Sequence, residues 1–449
     1  MANEKLITLS NLSRFKDNFI NFIQDSEKKL ELHIPSIFSN IDIPKIYFSN
    51  GKAICNIPYH DYIYNNSIYI DKDLGNDTTG NGTKDSPYKT IKKGLTVITG
   101  DTTFYVKSST PFQRGEHFTG GSLGTTYKLS FINNNENKKP ILLTTGTPNL
   151  IWTSEDNVWK TTRSLTKEVL YKSDDEYLFG WRKLILASDL TNCKATAGSY
   201  FVDGTTVYVN TFDGTIPTDD KYMTIILSGE TAFYLSNNEI SFNGFGFINA
   251  GTNAVYFGTT TASDVSSKVV LFNCIAGMND GENDGTTIVI GNGFAFERIK
   301  EVFLFNCYAK NVRRDGFNYH YTNAIDYLPD DRIVFEYNCV SLNCGINDTT
   351  VNNNGTTCHE KTKIIRVNSK VFNTKGPMVA DVGGSYSYLI GCETRNEIGE
   401  YSGYLFTMEN TGKSYLINCK TNKSLVSADG ITYISNFDGN KGIGTFEEI

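Results

Sequence analysis

The chain has 449 residues, 39% of them apolar and 13% aromatic, enough for one long solenoid or two to three ordinary domains. Its formal charge is −7 and no run of Lys or Arg stands out, which excludes the concentrated positive surface that nucleic-acid binding needs. No stretch reaches the roughly 18–20 apolar residues of a membrane span, and Met1–Leu9 lacks the apolar run of a secretory signal, so the product is expected to be made in a cytoplasm without that route.

Residues 1–45 differ from the rest. Leu9, Leu12, Phe15, Phe19, Phe22 and Ile23 recur at i, i+3, i+4 spacing, which predicts a short amphipathic helix capped at Ser10 or Asn11 and ended before Pro35. Its single apolar stripe needs a partner, either the same chain or a larger assembly. Residues 46–66 read as a strand-rich linker. The strand at Ile68–Asp71 is followed by a Gly/Asn/Asp loop, and Ser86-Pro87 then opens a short helix, with Ser at the cap and Pro in the first turn. The loop also admits a Ca²⁺ reading through Asp73, Asn76 and Asp77, although its spacing matches no EF-hand; no other cofactor is implied. Residues 46–150 therefore read as an end cap and first coils. Residues 151–227 carry all three Trp and an Asp203-Gly204 hairpin signal, and read as a β-rich insertion.

From 228 to 449 a phrase repeats: apolar or aromatic residues, then Asn, then a small residue, usually Cys. It falls at Asn243, Asn273, Asn306, Asn338, Asn368, Gly391, Asn418 and Asn436, with gaps of 30, 33, 32, 30, 23, 27 and 18 residues. Beats at this spacing, each rich in Val, Ile, Phe and Tyr, predict a solenoid of strands: an all-β, parallel, single-stranded β-helix. Cys274, Cys307, Cys339, Cys392 and Cys419 share one place in the beat, which predicts a stack of free, buried thiols acting as small apolar side chains.

Two His fall in the regular coils, within Arg313-Arg314-Asp315-Gly316-Phe317-Asn318-Tyr319-His320 and Thr357-Cys358-His359-Glu360-Lys361. Counting from the beat and removing a loop of about eight residues at 347–355 brings His320, His359 and Asp381 onto one flank of adjacent coils. Aromatics placed inward leave Asn318, His320, His359 and Asp381 outward, with Glu360 and Lys361 at the strand end and Arg314 and Asp315 at the turn. The expected catalytic set is His320, His359, Asp381, Asp315 and Glu360; Arg314, Asn318 and Lys361 are expected to bind substrate, and none to ligate a metal. Two chemistries fit such a groove. One is glycoside hydrolysis on two carboxylates; the other is β-elimination by a base beside a uronate that a cation neutralises.

The segment 68–95, the coil length and Asp315-Gly316-Phe317-Asn318-Tyr319-His320 resemble phage tailspike and tail-fibre proteins with a pectate-lyase-like right-handed β-helix, and Lys5–Phe15 looks like the start of phage tail proteins. The resemblance implies a homotrimer on a virion tail, joined to other tail proteins through residues 1–45. Such a protein is made in the host cytoplasm, binds a bacterial surface polysaccharide outside the cell and often cleaves it, without inserting in a membrane. A non-catalytic glycan-binding fibre and a free bacterial lyase or hydrolase are the alternatives.

Overall fold

The computed structural model describes Leu30–Glu31 and residues 43–448, apart from 50–51, 119–125, 137–139, 145, 147–148, 165, 174–179, 227–238, 249–252, 259–266, 280–290, 321–331, 346–352, 398–404 and 408–412. The helix predicted within 1–45 and most of the loop at 347–355 lie outside the described residues.

Most of the repeating strands pair in parallel with the strand three elements on, so successive coils stack into three flanks. The first flank runs from Asn66–Asp71, Thr102–Lys107 and Leu129–Asn133 to Glu239–Asn243, Lys268–Phe272, Glu301–Phe305, Ile333–Tyr337, Lys363–Val367, Tyr386–Ile390 and Lys413–Ile417. The second holds Ile141–Thr144, Phe245–Ile248, Ile275–Asn279, Tyr308–Val312, Val340–Cys344, Lys370–Thr374 and Glu393–Arg395. The third holds Val255–Gly258, Phe294–Glu297, Phe317–His320, Thr356–Cys358, Val379–Asp381 and Leu405–Thr407. This is a parallel β-helix with three strands per coil.

The beat marks the corner between first and second flanks. Asn273, Asn306, Asn338, Asn368, Asn418 and Asn436 hold φ of 50–53° there, and Gly391 63°; only Gly and Asn enter this left-handed region readily. The amides form a ladder, Asn306 Nδ2 donating to Asn273 Oδ1 and Asn338 Nδ2 to Asn306 Oδ1, each at 3.2 Å. The first beat is shifted by one: Gly244, at φ 77°, is the corner, and Asn243 pairs as a strand residue with Phe272. The next side chain turns inward. Cys274, Cys307, Cys339, Cys392 and Cys419 are free and at most 5% exposed, their thiols lying against carbonyls such as Phe305 O and Leu271 O around Cys307. Burial pushes the Cys307 and Cys392 thiols well up, as the predicted thiol stack requires.

Aromatic columns fill the interior. Phe104, Phe131 and Phe242 stack at 4.7 Å, and Phe296 stacks on Tyr319 at 5.3 Å. Ile91–Leu95 is helical and closes the first coil, with Gly94 against Ile70 and Phe104, where an added Cβ would come within 2.9 Å of each. The cap is Thr90, not Ser86. Asp77 takes the Lys89 and Thr90 amides and the Thr90 hydroxyl, and Thr90 Oγ1 accepts from Lys93 N, so the helix starts at Ile91, four residues beyond Pro87. The three residues of the Ca²⁺ reading hold separate turns: Asp73 accepts from Ser109, Asn76 from the Thr78 and Thr79 amides, and Asp77 from the helix start.

Two further layers dress the solenoid. Ile46–Ser49 and Lys52–Cys55 form an antiparallel hairpin whose Ile46, Phe48 and Ala53 join Tyr62 over the outward Val270, Phe272, Phe303 and Phe305 of the first flank. That flank is apolar on both sides because both sides are covered. Between Thr153 and Ile226 an antiparallel sheet and a mixed sheet, in which Ile185–Leu186 pairs parallel with Ser199–Asp203, stand outside the solenoid, and Ser199–Asp203 and Thr206–Asn210 make the predicted hairpin across Asp203 and Gly204. Trp181 packs with Leu170 and Met223 onto Leu142 and Ile248, and Trp152 is buried in the insertion's own core. Both Trp serve packing.

Candidate active site

On the third flank the register fixes which side chains face out. Phe296, Tyr319, Cys358 and Asp381 pair in one inward column, and Ala295, Asn318, Thr357 and Ala380 in an outward one. Glu297 pairs with His320 in the next outward column, and His359 N donates to Tyr319 O to continue it. His320 and His359 therefore stand on neighbouring coils with rings stacked, centroids 4.1 Å apart and planes 16° from parallel. Glu360 reaches back to both: its Oε1 lies 3.1 Å from His320 Nδ1 and 4.0 Å from His359 Nδ1. The three side chains are 31%, 27% and 22% exposed, so substrate can touch them while water is partly excluded.

Backbone strain places that carboxylate. Glu360 and Lys361 hold φ of 51° and 56° in consecutive left-handed conformations. The equivalent turn one coil on uses Gly383 and Gly384, at 68° and 75°, and Lys361 N donates to Gly383 O. Thr362 and Ser385 tie the two turns alike, each hydroxyl donating to the carbonyl three residues back, at 2.6 Å. The fold thus puts Glu and Lys where the neighbouring coil needs only glycine.

Hydrogen bonds fix the His359 tautomer. The Thr357 hydroxyl donates its one proton to Ala380 O at 2.6 Å, so its 3.2 Å contact with His359 Nε2 receives the imidazole N–H and leaves the lone pair on Nδ1. Burial, then the neighbouring His320, lowers the His359 pKa to about 4 against the opposing pull of Glu360 and Asp381, and the ring is neutral at pH 7.

Two expected members are elsewhere. Asp381 pairs with Cys358, not His359, and points inward at 1% exposure. Its carboxylate takes two guanidinium bonds from Arg366, at 2.6 and 2.9 Å, and one from Ser387 Oγ at 2.5 Å. Burial alone would raise its pKa; Arg366, Ser387 and Cys358 outweigh that and hold it below the ordinary value. Glu336 completes this buried cluster, accepting from Tyr319 and Thr356 hydroxyls at 2.8 and 2.9 Å. Asp315, also buried, stands in a ladder of turn residues. Its amide donates to Asn292 Oδ1, and its carboxylate accepts from Asn354 N at 2.6 Å and Asn318 Nδ2 at 2.8 Å. Burial raises its pKa despite these donors. Asn318 is outward but occupied with Asp315, Arg314 is half-buried at the same turn, and Lys361 is exposed beside Glu360.

The sequence reading missed Glu297, Thr357, and the Glu336 and Arg366 partners of Asp381. Phe294-Ala295-Phe296-Glu297 repeats the aromatic, small or polar, aromatic, polar order of Phe317-Asn318-Tyr319-His320, which was a usable signal. Glu336 and Arg366 are the charged residues within the apolar runs of Ile333–Tyr337 and Lys363–Val367, and they pair directly across the first flank.

No family model matches the chain, and no curated sequence matches it. Among solved structures it is similar to a glycoside hydrolase (10% identity, 85% of this chain and 96% of that one, TM-score 0.41). It is similar also to a GH136 lacto-N-biosidase from Eubacterium ramulus (11% identity, 85% and 67%, TM-score 0.35) and to the tailspike protein gp49 of Pseudomonas phage LKA1 (12% identity, 77% and 65%, TM-score 0.26). The chemistry of the third flank rests on its own side chains.

Proposed function

We propose that this protein is a phage tail receptor-binding spike that binds a bacterial capsular or surface polysaccharide and cleaves it on the third flank. One observation carries the reading: two stacked imidazoles and a carboxylate, outward and half-buried, held together by a strained turn on a straight parallel sheet. Rungs roughly 4.8 Å apart give an extended glycan a regular track on either side of them. Withdrawal of Asp315 and Asp381 from the surface disfavours hydrolysis by that pair. It favours proton abstraction beside a uronate carboxylate, with the imidazoles as base, Glu360 orienting them, and Arg314 and Lys361 as the cations facing the uronate.

The same reading makes the assembly a homotrimer, wound right-handed as parallel crossovers are, fixed to other tail proteins through residues 1–45 and acting outside the host cell. The test is a panel of purified bacterial surface polysaccharides incubated with the full chain, read for unsaturated uronate by ultraviolet absorbance and for reducing ends. Shortening of at least one polymer with new unsaturation supports the account. Reducing ends without unsaturation replace elimination by hydrolysis, and a panel neither bound nor shortened overturns the reading.

A further inference from the structure

One donor atom from each of His320, His359 and Glu360 lies within 4.8 Å of the other two, and both Nδ1 atoms face Glu360 Oε1, at 3.1 and 4.0 Å. A tetrahedral Zn²⁺ with bonds of about 2.0–2.1 Å sets its donors roughly 3.3–3.4 Å apart. The two distances to Glu360 Oε1, 3.1 and 4.0 Å, bracket that spacing. Three independent features aim these atoms at a shared guest. Nδ1 of His320 is a buried atom with no aligned hydrogen bond despite its nearness to Glu360. The Thr357 hydroxyl, its proton committed to Ala380 O, holds His359 as the Nε2–H tautomer and presents the Nδ1 lone pair. The consecutive left-handed residues Glu360 and Lys361 keep the carboxylate beside both rings, where the next coil has Gly383 and Gly384.

We infer that His320, His359 and Glu360 bind one divalent transition-metal ion of the Zn²⁺ class through two imidazole nitrogens and one carboxylate oxygen, leaving a coordination position open to the groove. Two nitrogens and one oxygen suit Zn²⁺ and its first-row neighbours and not Ca²⁺ or Mg²⁺, which take oxygen. Thr357 is the outer partner that orients one ligand. Binding requires the two rings to rotate out of their near-parallel stack, so that both in-plane lone pairs meet beside Glu360. The open position takes water or a glycan oxygen, and a ring whose Nδ1 holds the ion no longer serves as the base; the glycan role alone rests on the polysaccharide reading, whereas the metal site rests on its donors.

The test is titration of the full chain, freed of metal by chelator and kept reduced, with Co²⁺ followed in the visible range. One equivalent is expected, with the ligand-field bands of a low-coordinate nitrogen/oxygen site, no thiolate-to-cobalt charge transfer, and displacement by Zn²⁺. Glu360→Gln and His359→Gln should each weaken binding at least tenfold, and Thr357→Val, which spares the donors, by roughly tenfold; melting curves confirm that the variants fold. No stoichiometric uptake by the wild type overturns the site, as does uptake unchanged in both Glu360→Gln and His359→Gln. Charge transfer that moves the ion to cysteine, with Cys55 the half-buried thiol, overturns it too. Absent uptake leaves the glycan panel standing, and a negative panel leaves the cobalt result standing.

Discussion

At the scale of single residues, polar groups that face a substrate differ from those that hold the coils. Asp315 belongs to the second kind: its oxygens replace an Asn amide oxygen in a turn ladder between Asn292 and Asn354. Asp315→Asn is expected to change stability by no more than about 1 kcal/mol and to leave polysaccharide cleavage within a few-fold of wild type; loss of cleavage with an intact melting curve would restore it to the catalytic set. The Asp381–Arg366–Glu336 cluster is more demanding. Removing Arg366 strands two buried carboxylates, so Arg366→Met is expected to cost about 3–5 kcal/mol in chemical denaturation. His359 gives a pH signature. Its folded pKa, about 4, lies below an unfolded value near 6.5, so below pH 6.5 the unfolded chain takes a proton that the folded chain refuses. Its contribution is fully present above pH 6.5 and is lost as pH falls toward 4. The loss is at most about 3 kcal/mol, an upper bound because the ring keeps 27% of its surface in water. Removing the ring in His359→Gln should flatten that part of the stability profile.

At the scale of elements, the corner and the turn carry the information. The Asn beat was legible because a tight corner in each coil imposes a left-handed residue, and Asn both tolerates it and donates to the Asn of the preceding coil. Gly244 shows where the reading slips: a glycine serves the corner equally well, and Asn243 beside it drew the count one residue early. The same physics explains the site. Coil counting found the His pair because both lie one residue past an inward column. It failed for Asp381 because that residue lies 12 past Ser369 whereas His320 lies 13 past Cys307, and one residue turns a strand side chain from one face to the other. The helix cap was lost for a different reason: the Asp77 carboxylate, remote in sequence, decides where the helix starts. Lys361→Gly is expected to leave the melting temperature unchanged or raise it, since glycine takes this conformation without strain. A fall of several degrees would show that the turn is not strained.

At the scale of the whole molecule, stacking turns residues about 30 positions apart into neighbours, and function follows from that repetition. The apolar first flank is covered by the hairpin around Phe48 and Ala53, and part of the second by the insertion at Leu142 and Ile248; the third presents imidazoles and a carboxylate. A trimer in light scattering of the full chain is the expected assembly state, and a monomer would favour a free enzyme. The most direct test compares wild type with Glu360→Gln on a polysaccharide that the wild type shortens, following chain length over time. Glu360→Gln should keep glycan binding within a few-fold and lose at least a hundredfold in cleavage rate, about 2.7 kcal/mol of barrier. Cleavage by Glu360→Gln at the wild-type rate would contradict the assignment of this flank as the reacting surface.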